Sequence, residues 1–136
     1  MAIYGRHNLA SVDPDLVRLV EDVGVTRDVF VAQGARTIAD EQADILAGRS
    51  HLKNPRDSYH VIIPGVRDLA LAVDLAPCTV SRLGTVLVPW NNEPAFACLA
   101  AFVKQRAAAL GITPFSWGGD WSHPFDFDHF QRAPAP

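Results

Sequence analysis

The sequence predicts an α+β fold, a small antiparallel sheet with flanking helices, on three observations. Helix-start signals open apolar stripes at Asp13-Pro14, Thr37 and Asn92-Glu93-Pro94. Short β-rich runs at Val29–Ala32 and Ala70–Leu75 alternate with them, and the final third is aromatic and turn-rich. At 136 residues the chain is long enough for one domain, residues 1–136, with a core that needs no disulfide staples.

In chain order, Asp13 followed by Pro14 starts a helix whose Leu16, Val17, Leu19, Val20 and Val23 form one stripe ending at Gly24. Val29–Ala32 reads as a buried strand, Gly34 turns the chain, and Thr37 with Asp40 forms a capping-box pattern for a helix to about Ala47. Arg36 therefore sits at a strand-to-helix junction. Gly48–Asp57 is polar loop containing Asn54-Pro55, which delivers Ser58 and His60. Ala70–Leu75 is a strand carrying Asp74 and ended by Pro77. No clear period governs the stretch through Gly84 to Trp90. Asn92 then caps a long helix in which Phe96, Leu99, Ala100, Phe102, Val103, Ala107 and Leu110 keep helical spacing up to Gly111. Strict alternation over Phe125–Phe130 places Asp126 and His129 on opposite strand faces, so a bulge or a strand end is required to aim both at one point. The tail from Arg132 to Pro136 is expected to fray.

A net charge of −3 and a pI near 5.9 supply no basic field for nucleic acid. Cys78 and Cys98 form no CxxC pair and read as free thiols in apolar surroundings. The N-terminus lacks the charged start and apolar run of a secretory signal, and no segment reaches a membrane-spanning length. The expectation is a monomer made in the cytoplasm, without stable membrane association, which needs release by another agent to reach any substrate outside.

The chemistry-bearing residues are scattered: Ser58-Tyr59-His60, then Asp74 after Leu71-Ala72-Val73, then Asp126-Phe127-Asp128-His129. Two imidazoles and one carboxylate leave the fourth tetrahedral position of zinc open to water, the arrangement of a catalytic rather than a structural site. A zinc hydrolase is thus the leading reading. His7, His51 and His123 stand in no comparable context, and the helical HExxH signature is absent.

Taken in order, Gly34-Ala35-Arg36-Thr37 with Gln42 downstream, Ser58-Tyr59-His60, Ala72-Val73-Asp74-Leu75-Ala76-Pro77, Leu110-Gly111-Ile112, Trp117-Gly118-Gly119-Asp120-Trp121 and Asp126-Phe127-Asp128-His129-Phe130-Gln131 resemble a known family. It is that of the VanY-like zinc D,D-carboxypeptidases and the phage L-alanyl-D-glutamate endopeptidases, and the resemblance runs from about Asp13 to Gln131. It implies a hedgehog/D,D-peptidase-like fold with the zinc cleft on the sheet. It also implies one Zn²⁺ held by His60, Asp74 and His129, Asp126 as general base, Arg36 facing the substrate, and Ser58 and Gln42 as substrate contacts. Two departures stand out. Thirteen residues separate His60 from Asp74, more than relatives often have, which makes Asp68 a rival ligand, although the Ala72–Pro77 context favours Asp74. Asp128 stands where phage relatives often have proline.

The function so implied is that of a phage endolysin cutting the L-Ala-D-Glu bond of peptidoglycan stem peptides, with the cell wall as its place of action. The alternatives are a D,D-carboxypeptidase or dipeptidase, and a non-catalytic phage structural or binding module of the same fold. A cysteine hydrolase using Cys78 or Cys98 lacks a nucleophile motif.

Overall fold

The computed structural model describes residues 1–122 and 125–136; His123 lies outside the described residues. The elements are β1 (Ile3–Tyr4), α1 (Pro14–Thr26), β2 (Val29–Gln33), α2 (Ile38–Leu46), β3 (Ala72–Pro77), β4 (Thr79–Val80), β5 (Val86–Leu87), α3 (Glu93–Ala109), β6 (Ser116–Trp117) and β7 (His129–Gln131). A five-stranded sheet runs β1-β2-β3-β7-β6, antiparallel except for the parallel edge pair β1/β2. This is the α+β architecture that the sequence predicts. The stretch through Gly84 forms a separate exposed hairpin, β4-β5, with Gly84 at positive φ in its turn.

The local start signals work as predicted. Asp13 Oδ1 accepts from the amides of Asp15 and Leu16, Thr37 and Asp40 close a reciprocal capping box, and Asn92 Oδ1 accepts from Ala95 N–H. α1 departs from expectation at its other end, running past Gly24 to Thr26. Gly24 does not stop the helix; a Cβ there would collide with the Ile3 side chain, so the glycine lets β1 lie close.

Strand alternation sorts the sheet into two faces. Val29, Val31, Val73, Leu75 and Phe130 join Leu16, Leu19, Val20 and Val23 of α1 and Leu99 and Val103 of α3 in one buried cluster. The alternate positions, Asp74 on β3 and His129 and Gln131 on β7, point to the opposite face. One pleat therefore sets both the core and the polar site.

Beyond Gln131 the chain is fixed rather than frayed. Ala133 is buried and its carbonyl accepts from Ser116 Oγ, while Arg132 pairs with Asp15 at 2.7 Å and with Asp13 at 3.5 Å. Arg132 and Asp15 stand 117 positions apart, so no local pattern announces the contact that holds the tail. Among the described residues no helix is long and apolar enough to cross a membrane.

Of the glycines Gly34 is the most closely approached, since a Cβ on it would overlap the Asn8 carbonyl, and backbone cannot swing aside as a side chain can. Gly34→Ala is expected to lower stability by about 1–3 kcal/mol, the usual cost of overpacking. A urea midpoint equal to that of the parent protein would contradict this close packing.

Candidate metal centre and active site

Asp74 and His129 are direct cross-strand partners in the β3/β7 register, with Ala72 opposite Gln131 and Val73 opposite Phe130. Opposed residues on one face have Cβ atoms about 5 Å apart, so the register alone brings the carboxylate to the imidazole. His60 arrives from the loop before β3. Its carbonyl accepts from Arg36 N–H at 2.8 Å, and the neighbouring Tyr59 carbonyl accepts from Leu71 N–H at 2.8 Å, which lashes the loop between two extended segments. Ser58 Oγ accepts from His60 N–H at 3.3 Å, closing a small turn before the histidine.

The three side chains converge. His60 Nε2 lies 3.0 Å from Asp74 Oδ1 and 3.1 Å from His129 Nδ1, and His129 Nδ1 lies 3.2 Å from Asp74 Oδ1. Carbonyls on the far side of both rings determine which nitrogens carry hydrogen. His60 Nδ1 is 2.8 Å from the Gly34 carbonyl, which can only accept, so that nitrogen donates. His129 Nε2 is 2.9 Å from Gln131 Oε1, and the Gln131 amide is itself oriented by donating to the Pro134 carbonyl at 3.0 Å. Each ring thus turns its lone pair toward Asp74, and three acceptor atoms face one point. That arrangement calls for a positive charge between them.

The electrostatics agree. When protons on the facing ring nitrogens supply that charge, burial still penalises the Asp74 carboxylate, yet the charge of His60 and hydrogen bonds from both imidazoles more than offset it and hold the carboxyl well below its usual range. Burial likewise opposes a charge on His129, but Asp74 outweighs it and raises the proton affinity of the ring. A site that attracts a proton this way attracts a cation to the same lone pairs. His60, Asp74 and His129 are the one group of metal-capable side chains among the described residues whose ligand atoms all fall within 4.8 Å of one another. Nitrogen–nitrogen–oxygen donors with hydrogen-bonded outer partners fit zinc in an open catalytic site.

Around the cluster lies a cleft of about 230 Å³ lined by Arg36, Glu41, Ser58, Trp121 and Asp126 among others. Asp126 reaches it because β7 begins only at His129; Phe127 and Asp128 form a turn, closed by His129 N–H donating to the Asp126 carbonyl at 3.3 Å. The conflict posed by strict alternation is resolved by a strand end. Gly118 permits the turn, since a Cβ there would meet the Asp126 carbonyl and, at 2.8 Å, its Cβ. Burial, the charge of Asp74 and a hydrogen bond with Asp126 push the Asp128 carboxyl up to about 8.

The comparisons bear on this arrangement. The profile of the phage L-alanyl-D-glutamate peptidase family matches residues 2–133. The chain belongs to this family. Within it, the L-alanyl-D-glutamate peptidase of Escherichia phage T5 is 29% identical over 128 residues, covering 92% of this chain and 84% of the relative. The crystal structure of the Serratia marcescens L-Ala D-Glu endopeptidase ChiX superimposes with a TM-score of 0.71 at 28% identity, covering 98% of this chain and 90% of that one.

Of the residues this family's motifs single out, the structure brings His60, Asp74, His129, Asp126, Arg36 and Ser58 to one cleft. Asp68 is exposed, and its carboxylate accepts from Gly65 N–H at 3.2 Å in its own turn, far from the role of a rival ligand. Gln42 is not among the residues lining the cleft. The preceding residue, Glu41, takes that place because one step along a helix rotates a side chain by about 100°. Neither cysteine lines the cleft; Cys98 is exposed on α3 rather than apolar-packed, and burial, then Asp28, push the Cys78 thiol up. Sequence reasoning missed Glu41, Gln131 and Arg67. Only Gln131 left a usable signal, a polar residue two positions past His129 on the same strand face.

Gln131→Ala is expected to retain the fold, since the side chain orients an imidazole rather than filling the core. Its Zn²⁺ affinity should fall about 10- to 100-fold, the usual worth of an outer partner to a ligating histidine. Competition against a chromogenic chelator measures this, and equal affinity in the two proteins would remove Gln131 from the site.

Proposed function

We propose that this protein is a zinc-dependent endopeptidase, a single catalytic domain that hydrolyses the L-alanyl–D-glutamate bond of peptidoglycan stem peptides as a phage endolysin. The observation that carries the reading is the convergence of two imidazole lone pairs and one buried carboxylate at the floor of a cleft, with a second carboxylate beside them, in a member of this family. His60, Asp74 and His129 would hold the metal. Bound there, zinc supplies a Lewis acid for the scissile carbonyl and lowers the pKa of water to about 7.

The chain's own residues do the rest. Asp126 accepts the proton of the attacking water as oxygen adds to the L-alanine carbonyl carbon, and delivers it to the departing D-glutamate nitrogen as the C–N bond breaks. Arg36 donates to the oxyanion that develops on the carbonyl oxygen. Ser58 holds the turn that aims His60, a positioning part more than a substrate contact. Trp121 and Arg36 line the same cleft as the metal cluster and Asp126, so a peptide laid across it meets an aromatic wall and a guanidinium beside the reacting bond. The partner is therefore the stem peptide, met by a monomer in the cell wall after release from the cytoplasm.

Digestion of purified peptidoglycan should expose new L-alanine carboxyl ends and D-glutamate amino ends, read by mass spectrometry, without early free D-alanine. Free D-alanine as the sole early product would instead make the protein a D,D-carboxypeptidase. Asp126→Asn, which keeps shape but loses basicity, should retain zinc by metal analysis while activity falls by about two to four orders of magnitude. High residual turnover would transfer the role of base to Asp128 or Asp120.

A further inference from the structure

A second groove adjoins the turn that follows Asp126. Trp90, Asn91, Glu93, Phe96, Phe127 and Asp128 enclose about 270 Å³ there. Asp126 lines the catalytic cleft and the two residues after it line this groove, so the turn is a wall common to both. The wall is held in place: Trp117 Nε1 donates to the Phe127 carbonyl at 2.8 Å, and Leu75 N–H donates to the Asp128 carbonyl at 2.8 Å.

Trp90 is half open to solvent yet fixed. Its indole is 54% exposed and stacks on the buried Phe96, with ring centroids 5.8 Å apart and planes 30° from parallel. Its backbone sits in a turn closed by Asn92 N–H donating to the Pro89 carbonyl at 2.9 Å. An aromatic face held in one place loses little freedom when a ligand covers it, which is what a binding platform requires. The other residues limit what that ligand can be. Asn91, Glu93 and Asp128 offer amide and carboxyl groups to hydroxyls and acetamides, and among the described residues no lysine or arginine lines the groove to receive an anion. A flat aromatic beside such groups suits the apolar face and polar rim of a neutral sugar.

The substrate carries such a ring at the right distance. In peptidoglycan the amino end of L-alanine is joined through a lactyl unit to an N-acetylated amino sugar, and the lactyl acid is consumed in that amide, so this side of the scissile bond is neutral. The other side begins with D-glutamate, which keeps a free carboxyl. The cleft is asymmetric in the same sense. Asp74 is opposed by Gln33 of β2 on one flank and by His129 of β7 on the other. Arg36, Arg49 and His51, which follow β2 in the chain, line the cleft, whereas the turn before β7 contributes Asp126. Charge therefore directs the D-glutamate carboxyl toward the β2 flank and L-alanine toward β7, where the sugar meets the groove across the turn. One alanine and one lactyl unit span about 7 Å when extended, and Asp126 and Asp128 are separated by at most about the same length of chain.

We infer that the groove beside Trp90 is a subsite for the N-acetylated amino sugar that bears the stem peptide, so that the protein reads the glycan attached to L-alanine as well as the peptide. The inference rests on the endopeptidase reading above and extends it to the sugar side of the bond.

Two substrates test it on the zinc-loaded protein: the tripeptide L-alanyl-γ-D-glutamyl-L-lysine carrying the disaccharide N-acetylglucosaminyl-N-acetylmuramic acid on its amino end, and the same tripeptide N-acetylated. The parent protein should cut the first with a kcat/KM about tenfold higher, the worth of one well-placed aromatic contact. Trp90→Ala should abolish that preference while leaving cleavage of the acetylated peptide within about twofold of the parent. Trp90→Leu, which keeps an apolar cover on Phe96, should do the same and decides alone if Trp90→Ala fails to fold; Trp90→Phe should retain most of the preference. Equal efficiency of the parent on the two substrates overturns the inference, as does a preference that survives loss of the indole, which would place the sugar elsewhere. Failure to cut either substrate would instead refute the endopeptidase reading. Calorimetric titration of the disaccharide peptide into Asp126→Asn then reads the groove without turnover: adding Trp90→Leu should weaken binding about tenfold, and unchanged binding overturns the inference.

Discussion

The antiparallel pairing of Asp74 with His129 is the constraint on which the rest of the site depends. Because side chains alternate across a strand, the register that opposes these two also opposes Val73 to Phe130 on the other face, inside the core. A slip of one residue would drive a carboxylate and an imidazole into the packing of α1 and α3. The hydrophobic effect therefore holds the polar cluster in register without touching it. This is a firmer support than loop contacts would give, since core strands are among the last parts of a fold to open.

Placing three acceptors at 3.0–3.2 Å from one another stores repulsion that only a cation or protons relieve. The outer partners keep the rings from turning away. Gly34 holds His60 from the end of β2, and Gln131 holds His129 while being held by the Pro134 carbonyl. Those partners lead outward to the frame: Gly34 packs on Asn8, and the C-terminal tail is pinned to the start of α1 through Arg132. Both histidines are thus held from their far sides by hydrogen bonds that lead back to the backbone, directly for His60 and through Gln131 for His129.

What was legible in the sequence is what local chemistry decides. The caps at Asp13, Thr37 and Asn92 involve partners within three residues, and all three helices start where those signals stand. The candidate ligands were legible only through the order of their motifs, since a histidine or an aspartate taken singly has no such signature. The failures are non-local. Phe125–Asp128 alternates like a strand but forms none, with Asp126 packed against Gly118 and a turn at Phe127 and Asp128, and Gly24 looks like a stop until Ile3 is placed against it. The motifs point to Gln42 rather than Glu41 because the phase of a helix about its axis is set by what it packs on. Glu41 itself resembles any charged residue of a first turn until its burial is known.

The connection between His60 and Asp74 carries its own anchors. Its residues fold on themselves, with Ile63 bridging Arg67 across a turn at Gly65, which has positive φ. Arg67 then reaches back and donates to the carbonyls of Val61, Ser58 and Arg56 at 2.8–3.1 Å, with its guanidinium over the Tyr59 ring. The connection consequently supplies its own anchor to the segment that carries His60. At the base of the loop, the Arg36–His60 and Leu71–Tyr59 backbone bonds hold both ends at a fixed separation. Lengthening a loop between fixed ends adds only a slowly growing entropic cost, about 0.6 kcal/mol per doubling, so thirteen residues between the two ligands burden the site little.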